Sequence, residues 1–410
     1  MKQAALGAAM ALAMMGSGAQ AANAVLSAPG ATTRSVGGFT VYWTGSKLQV
    51  LSASRAIWES TPGESFVRAG TQAMDATENR GSFTVAENLL SQCTDQTITS
   101  FTQSATEVVF KGRLSGAAAC ATGYTLAFRQ PLAGHLQFTL SFDNAAVNYS
   151  ELVYASVAGE RFHGFGEQFS LLDLKGQAVP ILSQEGGVGR GHQPISGAVT
   201  LGSPGSAGGP LTTYYAVPQY ITNTAKSLFL EDTQYSVFDL TDAARVRVRL
   251  FNGRMTGRIL AGNTMLDLIT RFTEYSGRMR PLPAWFNEGA VVGMQGGTAK
   301  VSAVLDELQR RGTPVAGVWL QDWVGKRTTS FGSQLWWNWE LDQDRYPNWN
   351  GLVDRVESKG GHMLCYINPF LVDAAAKGNV RRNLYLEAVA NGYLVKKADG
   401  SVYKVTNTDF

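Results

Sequence analysis

The chain has 410 residues, of which 44% are apolar and 16% charged, with a formal net charge of +3. That length accommodates more than one domain with a large core. The balance excludes a disordered chain, and the scattered lysines and arginines exclude the clustered basic footprint of a nucleic-acid binder.

Residues 1–21 read as a signal peptide: Lys2, an apolar stretch over 4–15, and the small-residue motif Ala19-Gln20-Ala21. The apolar stretch is too short to span a bilayer, so export to the periplasm or medium is expected, with no membrane anchor. Cys93 and Cys120 share a loop-rich region and are candidates for a disulfide worth roughly 3 kcal/mol. Cys365 lies in the apolar run 363–367 and is expected as a buried thiol. No Cys/His spacing suggests zinc, and no cofactor is expected.

Residues 22–262 alternate polar and apolar side chains in short segments broken by Gly, Ser, Asn and Asp. The pattern predicts a β-sandwich. Residues 263–284 are read as a connecting helix and linker, with Asn263 or Thr264 as N-cap. From 285 to 410 apolar strands alternate with amphipathic helices, at 290–294, 315–320 and 362–367, with helices capped by Thr298 and Asn379. Repeated strand–helix units predict a parallel sheet, doubly wound or a (β/α)8 barrel. Three units fit before Phe410, where a closed barrel needs eight, so the chain is expected to be cut short.

The most informative stretch is 317–339. An apolar strand ends in Gln321-Asp322-Trp323; Lys326 and Arg327 follow, then Trp336, Trp337 and Trp339. Polar and aromatic groups at the C-terminal end of a barrel strand suit a sugar site. Asp322 has a second reading, an ion pair with Arg327.

These residues resemble glycoside hydrolase family 31, and its sulfoquinovosidase branch most of all. The matching motifs are Gly164-Phe165-Gly166-Glu167-Gln168-Phe169, Gly187-Val188-Gly189-Arg190, Gln295-Gly296-Gly297-Thr298, Gln321-Asp322-Trp323, Thr329-Ser330-Phe331-Gly332, Trp337-Asn338-Trp339, Tyr346-Pro347 and Tyr366-Ile367-Asn368-Pro369. The resemblance implies a β-sandwich followed by a (β/α)8 barrel, with about three of the eight units present. It implies a retaining α-glycosidase that needs no cofactor and works through two aspartates about 5 Å apart. Both would follow Phe410, so no catalytic residue is assigned within the chain.

The resemblance also makes Gln321 and Trp337 contacts to an anionic sugar head group, with Asp322 beside them. It puts Glu167 and Gln168 in a loop expected to reach the substrate. Gln334 departs from the pattern, since it stands where the branch carries a sulfonate-binding arginine. An amide offers neither charge nor a guanidinium fork. Either Lys326 or Arg327 takes over, or the substrate is a neutral hexoside. A non-catalytic carbohydrate-binding fragment is the reading from another functional class. Carbohydrate is the expected partner in each case.

Overall fold

The computed structural model describes residues 24–79, 81–117, 120–202, 205–329 and 332–405, and the expected signal peptide lies outside them. The described residues form two compact units, one spanning up to Glu78 and Ser82–Gly277, the other taking in Asn79, Gly81 and the residues from Arg278 on.

The first unit is built on a fourteen-stranded sheet, with the strand Phe162–Gly166 at one end of its order and Ala178–Ile181 at the other. Arg245–Leu250 shows why such segments become strands. Val246, Val248 and Leu250 point inward and are buried, while the alternate arginines face carboxylates. Arg245 pairs with Glu64, Arg247 with Asp239, and Arg249 with Glu87. The two ends of the sheet feed one core: Phe165 packs edge-on against Phe238, with ring centres 5.2 Å apart. A four-stranded antiparallel sheet covering Thr32–Val36, Phe39–Trp43, Leu48–Ser52 and Arg55–Glu59 adds Trp43, Leu48 and Val50 to that core. Cys93 and Cys120 are joined in a disulfide with their Cα atoms 5.2 Å apart, a comfortable span for the bond.

The helix Met265–Ser276 starts at Thr264. The Thr264 hydroxyl accepts from the Asp267 N–H, and the Asp267 carboxylate accepts from the Thr264 N–H. Leu268 buries against Phe229 and Leu260 of the first unit. The helix Ile195–Gly202 lies within the region read as β-sandwich and was not anticipated.

In the second unit three parallel strands lie in the order Ala290–Met294, Val315–Leu320, His362–Cys365. The helices Gly297–Arg310, Trp349–Glu357 and Leu384–Ala390 follow them in turn. Met294 is level with Leu320, and Leu320 with Cys365, so all three C-terminal ends open on one side. Val301, Val318, Leu320, Tyr346, Leu352 and Val356 form the core between sheet and helices.

Three local expectations are corrected. Gly296, in a left-handed conformation, caps the first helix, while the Thr298 hydroxyl donates to the Pro347 carbonyl. Asn383, not Asn379, caps the third helix, because Asn379 is held by Asp342 and Asp344. Cys365, at the C-terminal end of the third strand, is exposed among the described residues. Among the described residues no helix is long and apolar enough to cross a membrane.

Candidate functional site

The three strand ends carry the polar side chains. Gln295 follows the first strand, Gln321 and Asp322 the second, and Tyr366 and Asn368 the third. The Gln321 N–H donates to the Met294 carbonyl at 3.2 Å, which ties the second strand end to the first.

Asp322 is fully buried. One of its oxygens accepts from the Gly296 N–H at 3.0 Å and from Arg345 Nε at 2.6 Å; the other accepts from the Tyr346 hydroxyl. Its ion-pair partner is Arg345, not the Arg327 of the second reading. Fully buried and held by these three groups, Asp322 locks the Gln295–Gly296 turn beneath the rim. Burial, then the neighbouring carboxylate, pushes the Tyr346 phenol well up, so it remains a hydrogen-bond donor to Asp322.

Above that lock runs a chain of amides. Lys326 Nζ donates to Gln295 Oε1 at 3.0 Å, and Gln295 Nε2 donates to Gln321 Oε1. An ammonium only donates, so Gln295 must turn its oxygen to Lys326 and its NH2 to Gln321. Gln321 must then turn its oxygen to Gln295. Its own NH2 is half-buried at the strand end, with no protein acceptor among the described residues.

After Gly325 the chain forms a hairpin, Lys326–Thr329 against Gly332–Leu335. Gly325 is required there: its φ is +82°, and a Cβ would stand 2.0 Å from the Asp342 carboxylate. In the ladder Lys326 faces Leu335, and Arg327 faces Gln334. Residues directly opposite share a face, and successive residues alternate faces. Arg327 and Gln334 therefore stand together, while Lys326 projects from the other side. The Arg327 guanidinium lies over the Trp336 ring at 5.3 Å, and burial holds its pKa below the usual value.

The tryptophans divide the work. Trp337 stacks on Phe370 with centres 5.4 Å apart, and the Trp339 indole N–H donates to the Phe370 carbonyl at 2.9 Å. The Trp323 indole N–H donates to the Tyr366 carbonyl at 2.8 Å, and Trp323 belongs to the core shell. Asn338 is buried and bridges the Arg382 carbonyl and the Leu384 N–H. These bonds fix the loops after the second and third strands against each other.

A polar cavity of about 480 Å3 lies beside the hairpin, lined among others by Lys326, Trp336, Asp342, Arg345, Lys377 and Asn379. Lys377 is buried there, with Asp342 3.4 Å from its ammonium. Burial alone would raise the Asp342 pKa. The Arg345 N–H, Asn379 and Lys377 outweigh it and hold the carboxyl below its usual range.

Glu167 and Gln168 belong to the first unit. The Glu167 N–H donates to the Tyr215 carbonyl at 2.9 Å while its side chain is exposed. Gln168 Nε2 donates to the Phe165 carbonyl at 3.2 Å and lines a cavity of about 370 Å3 with Phe169 and Leu172. Gly166 is needed for this turn, because a Cβ would meet the Tyr215 carbonyl oxygen at 2.0 Å. Gln321, Asp322, Gln334 and Trp337 lie in the second unit, around one strand end and its hairpin. The sequence reading missed Gln295 as a site residue. Its signal was present in the Gln295-Gly296-Gly297-Thr298 motif, at the end of a strand beside that of Gln321.

A parallel strand–helix sheet with polar and aromatic groups at its C-terminal rim is the arrangement in which (β/α)8 barrels place their active sites. Residues 282–409 match the Glycosyl hydrolases family 31 TIM-barrel domain. Those residues thus carry a glycoside hydrolase family 31 barrel domain, and the chain is similar to sulfoquinovosidases. It is 31% identical over 277 residues to the sulfoquinovosidase of Escherichia coli, covering 68% of this chain and 40% of that one. It is also 31% identical over 254 residues to the Agrobacterium fabrum sulfoquinovosidase, covering 61% and 37%. The solved structure of a GH31 family sulfoquinovosidase from E. rectale superposes with a TM-score of 0.78 at 27% identity, covering 88% of this chain and 52% of that one. The chain thus spans about 40% of the length of these two curated relatives.

Proposed function

We propose that the protein carrying this chain is an exported retaining α-glycosidase acting on α-linked sugars with an anionic head group, of the sulfoquinovoside type. The observation that carries this reading is the rim of the three parallel strands. Gln295 and Gln321 end neighbouring strands there, with Trp337 on the following loop, in a segment of family 31 barrel sequence. This chain's part is to bind and orient the sugar. The nucleophilic and acid/base aspartates are assigned to barrel strands that follow the third, and Asp322, which is buried and paired, does not stand in for them. Of two carboxyls about 5 Å apart, one would attack the anomeric carbon to form a glycosyl-enzyme while the other protonates the leaving oxygen and then activates the water that releases the sugar.

A second reading, a neutral α-hexosidase, is favoured by Gln334, which brings no charge to its position. The reaction class is tested with protein made from the whole coding sequence and a nitrophenyl α-glycoside, following the first-formed sugar anomer by NMR. Release of the α-anomer is expected. Release of the β-anomer, or no hydrolysis of any α-glycoside, would overturn the assignment.

A further inference from the structure

We propose that Lys326 is a specificity-determining positioning residue, which acts through Gln295 to hold Gln321 as a hydrogen-bond donor toward the sugar. The inference rests on the glycosidase reading above and concerns one end of the same site.

An isolated glutamine amide presents oxygen or nitrogen with little preference, so it accepts from a hydroxyl as readily as it donates to an anion. Here the choice is made by the donor-only ammonium at the head of the chain. Gln295 and Gln321 must follow it in one direction, and the outermost group is the Gln321 NH2. A partner at that position must accept. A sulfonate has acceptor oxygens only, whereas a hydroxymethyl group gains from an acceptor as well as a donor. The ammonium also adds a positive charge one amide away. Its hydrogen-bond partner is the neutral Gln295, and no carboxylate is in ion-pair range of it among the described residues. Arg327 does not share this task, since it projects from the opposite hairpin face and lies over Trp336. The charge that residue 334 does not bring is thus supplied to the head-group end from the other side of the hairpin.

The test uses the protein from the whole coding sequence and the ratio of kcat/KM for 4-nitrophenyl α-sulfoquinovoside to that for the α-glucoside. In Lys326→Met both amides are free to reverse, and the ratio is expected to fall by about tenfold or more, the scale of one charge-assisted hydrogen bond. Lys326→Arg, still a pure donor, keeps most of the ratio. Arg327→Gln moves it much less than Lys326→Met. Equal losses on both substrates in Lys326→Met would reduce Lys326 to a structural role and overturn the inference, as would a larger shift in Arg327→Gln. The wild-type ratio tests the substrate reading; its change on substitution tests Lys326. If hydrolysis is absent, calorimetric affinities for the two methyl α-glycosides give the same ratio, and a protein that binds neither sugar overturns both.

Discussion

Arg327 stands directly opposite Gln334 across the hairpin that follows the second barrel strand. The departure at 334 is therefore not isolated. An arginine there would place two guanidiniums side by side on one face, and like charges directly opposite destabilise a strand pair. Gln334→Arg alone is expected to cost about 0.2–1 kcal/mol of stability. In Arg327→Gln/Gln334→Arg the cost should disappear, and thermal melts of the four proteins measure that coupling. Strict additivity would show that the two positions do not interact.

Asp322 anchors the rim through its buried bonds to Gly296, Arg345 and Tyr346. Asp322→Asn leaves Arg345 without its charge partner and weakens the hold on the Gly296 N–H. Breaking a buried pair costs about 3–5 kcal/mol, and the partly exposed Arg345 brings the expectation to about 2–3 kcal/mol. Chemical denaturation of the variant checks this. Loss of sugar binding with unchanged stability would instead make Asp322 a direct ligand.

The Cys93–Cys120 bond closes a loop with a sequence separation of 27. Loop-closure entropy for that length predicts about 3.5 kcal/mol of stabilisation for the N-terminal unit. Melting with and without a reductant should show a clear fall. Coincident melts, with thiol titration proving reduction, would refute it.

Acid should loosen the same unit through Glu160. Burial pushes this carboxyl up, but bonds from Thr224, Ser156 and the Val157 N–H, with the charge of Lys226, hold it below its ordinary value of 4.5. A carboxylate with a depressed folded-state pKa stabilises the fold above its unfolded value and loses that contribution as pH falls through the folded one. The melting temperature should therefore decline as pH drops below about 4.5, and Glu160→Gln should flatten that decline while lowering stability at neutral pH. Parallel pH profiles would remove Glu160 from the account.

Periodicity made the strand–helix order of the second unit readable. Val315–Leu320 and Ala290–Met294 fall where the apolar runs are. Thr264 was legible because its capping partner is three residues away. What escaped depended on distant contacts. Asp322 chose Arg345, 23 positions on, over the nearby Arg327. Asn379 was taken from its helix cap by Asp342 and Asp344. Cys365 was expected inside because its neighbours are apolar, but it stands exposed at the end of its strand. The role of Gln295 became visible only once Lys326 and Gln321 were on either side of it.

Selection of an anionic α-linked sugar by this rim, as proposed, is tested most directly by competition between 4-nitrophenyl α-sulfoquinovoside and 4-nitrophenyl α-glucoside for the wild-type protein made from the whole coding sequence. The kcat/KM for the sulfonated sugar is expected to be at least about tenfold higher, the scale of one charge-assisted hydrogen bond. Equal or better turnover of the neutral glucoside would contradict it.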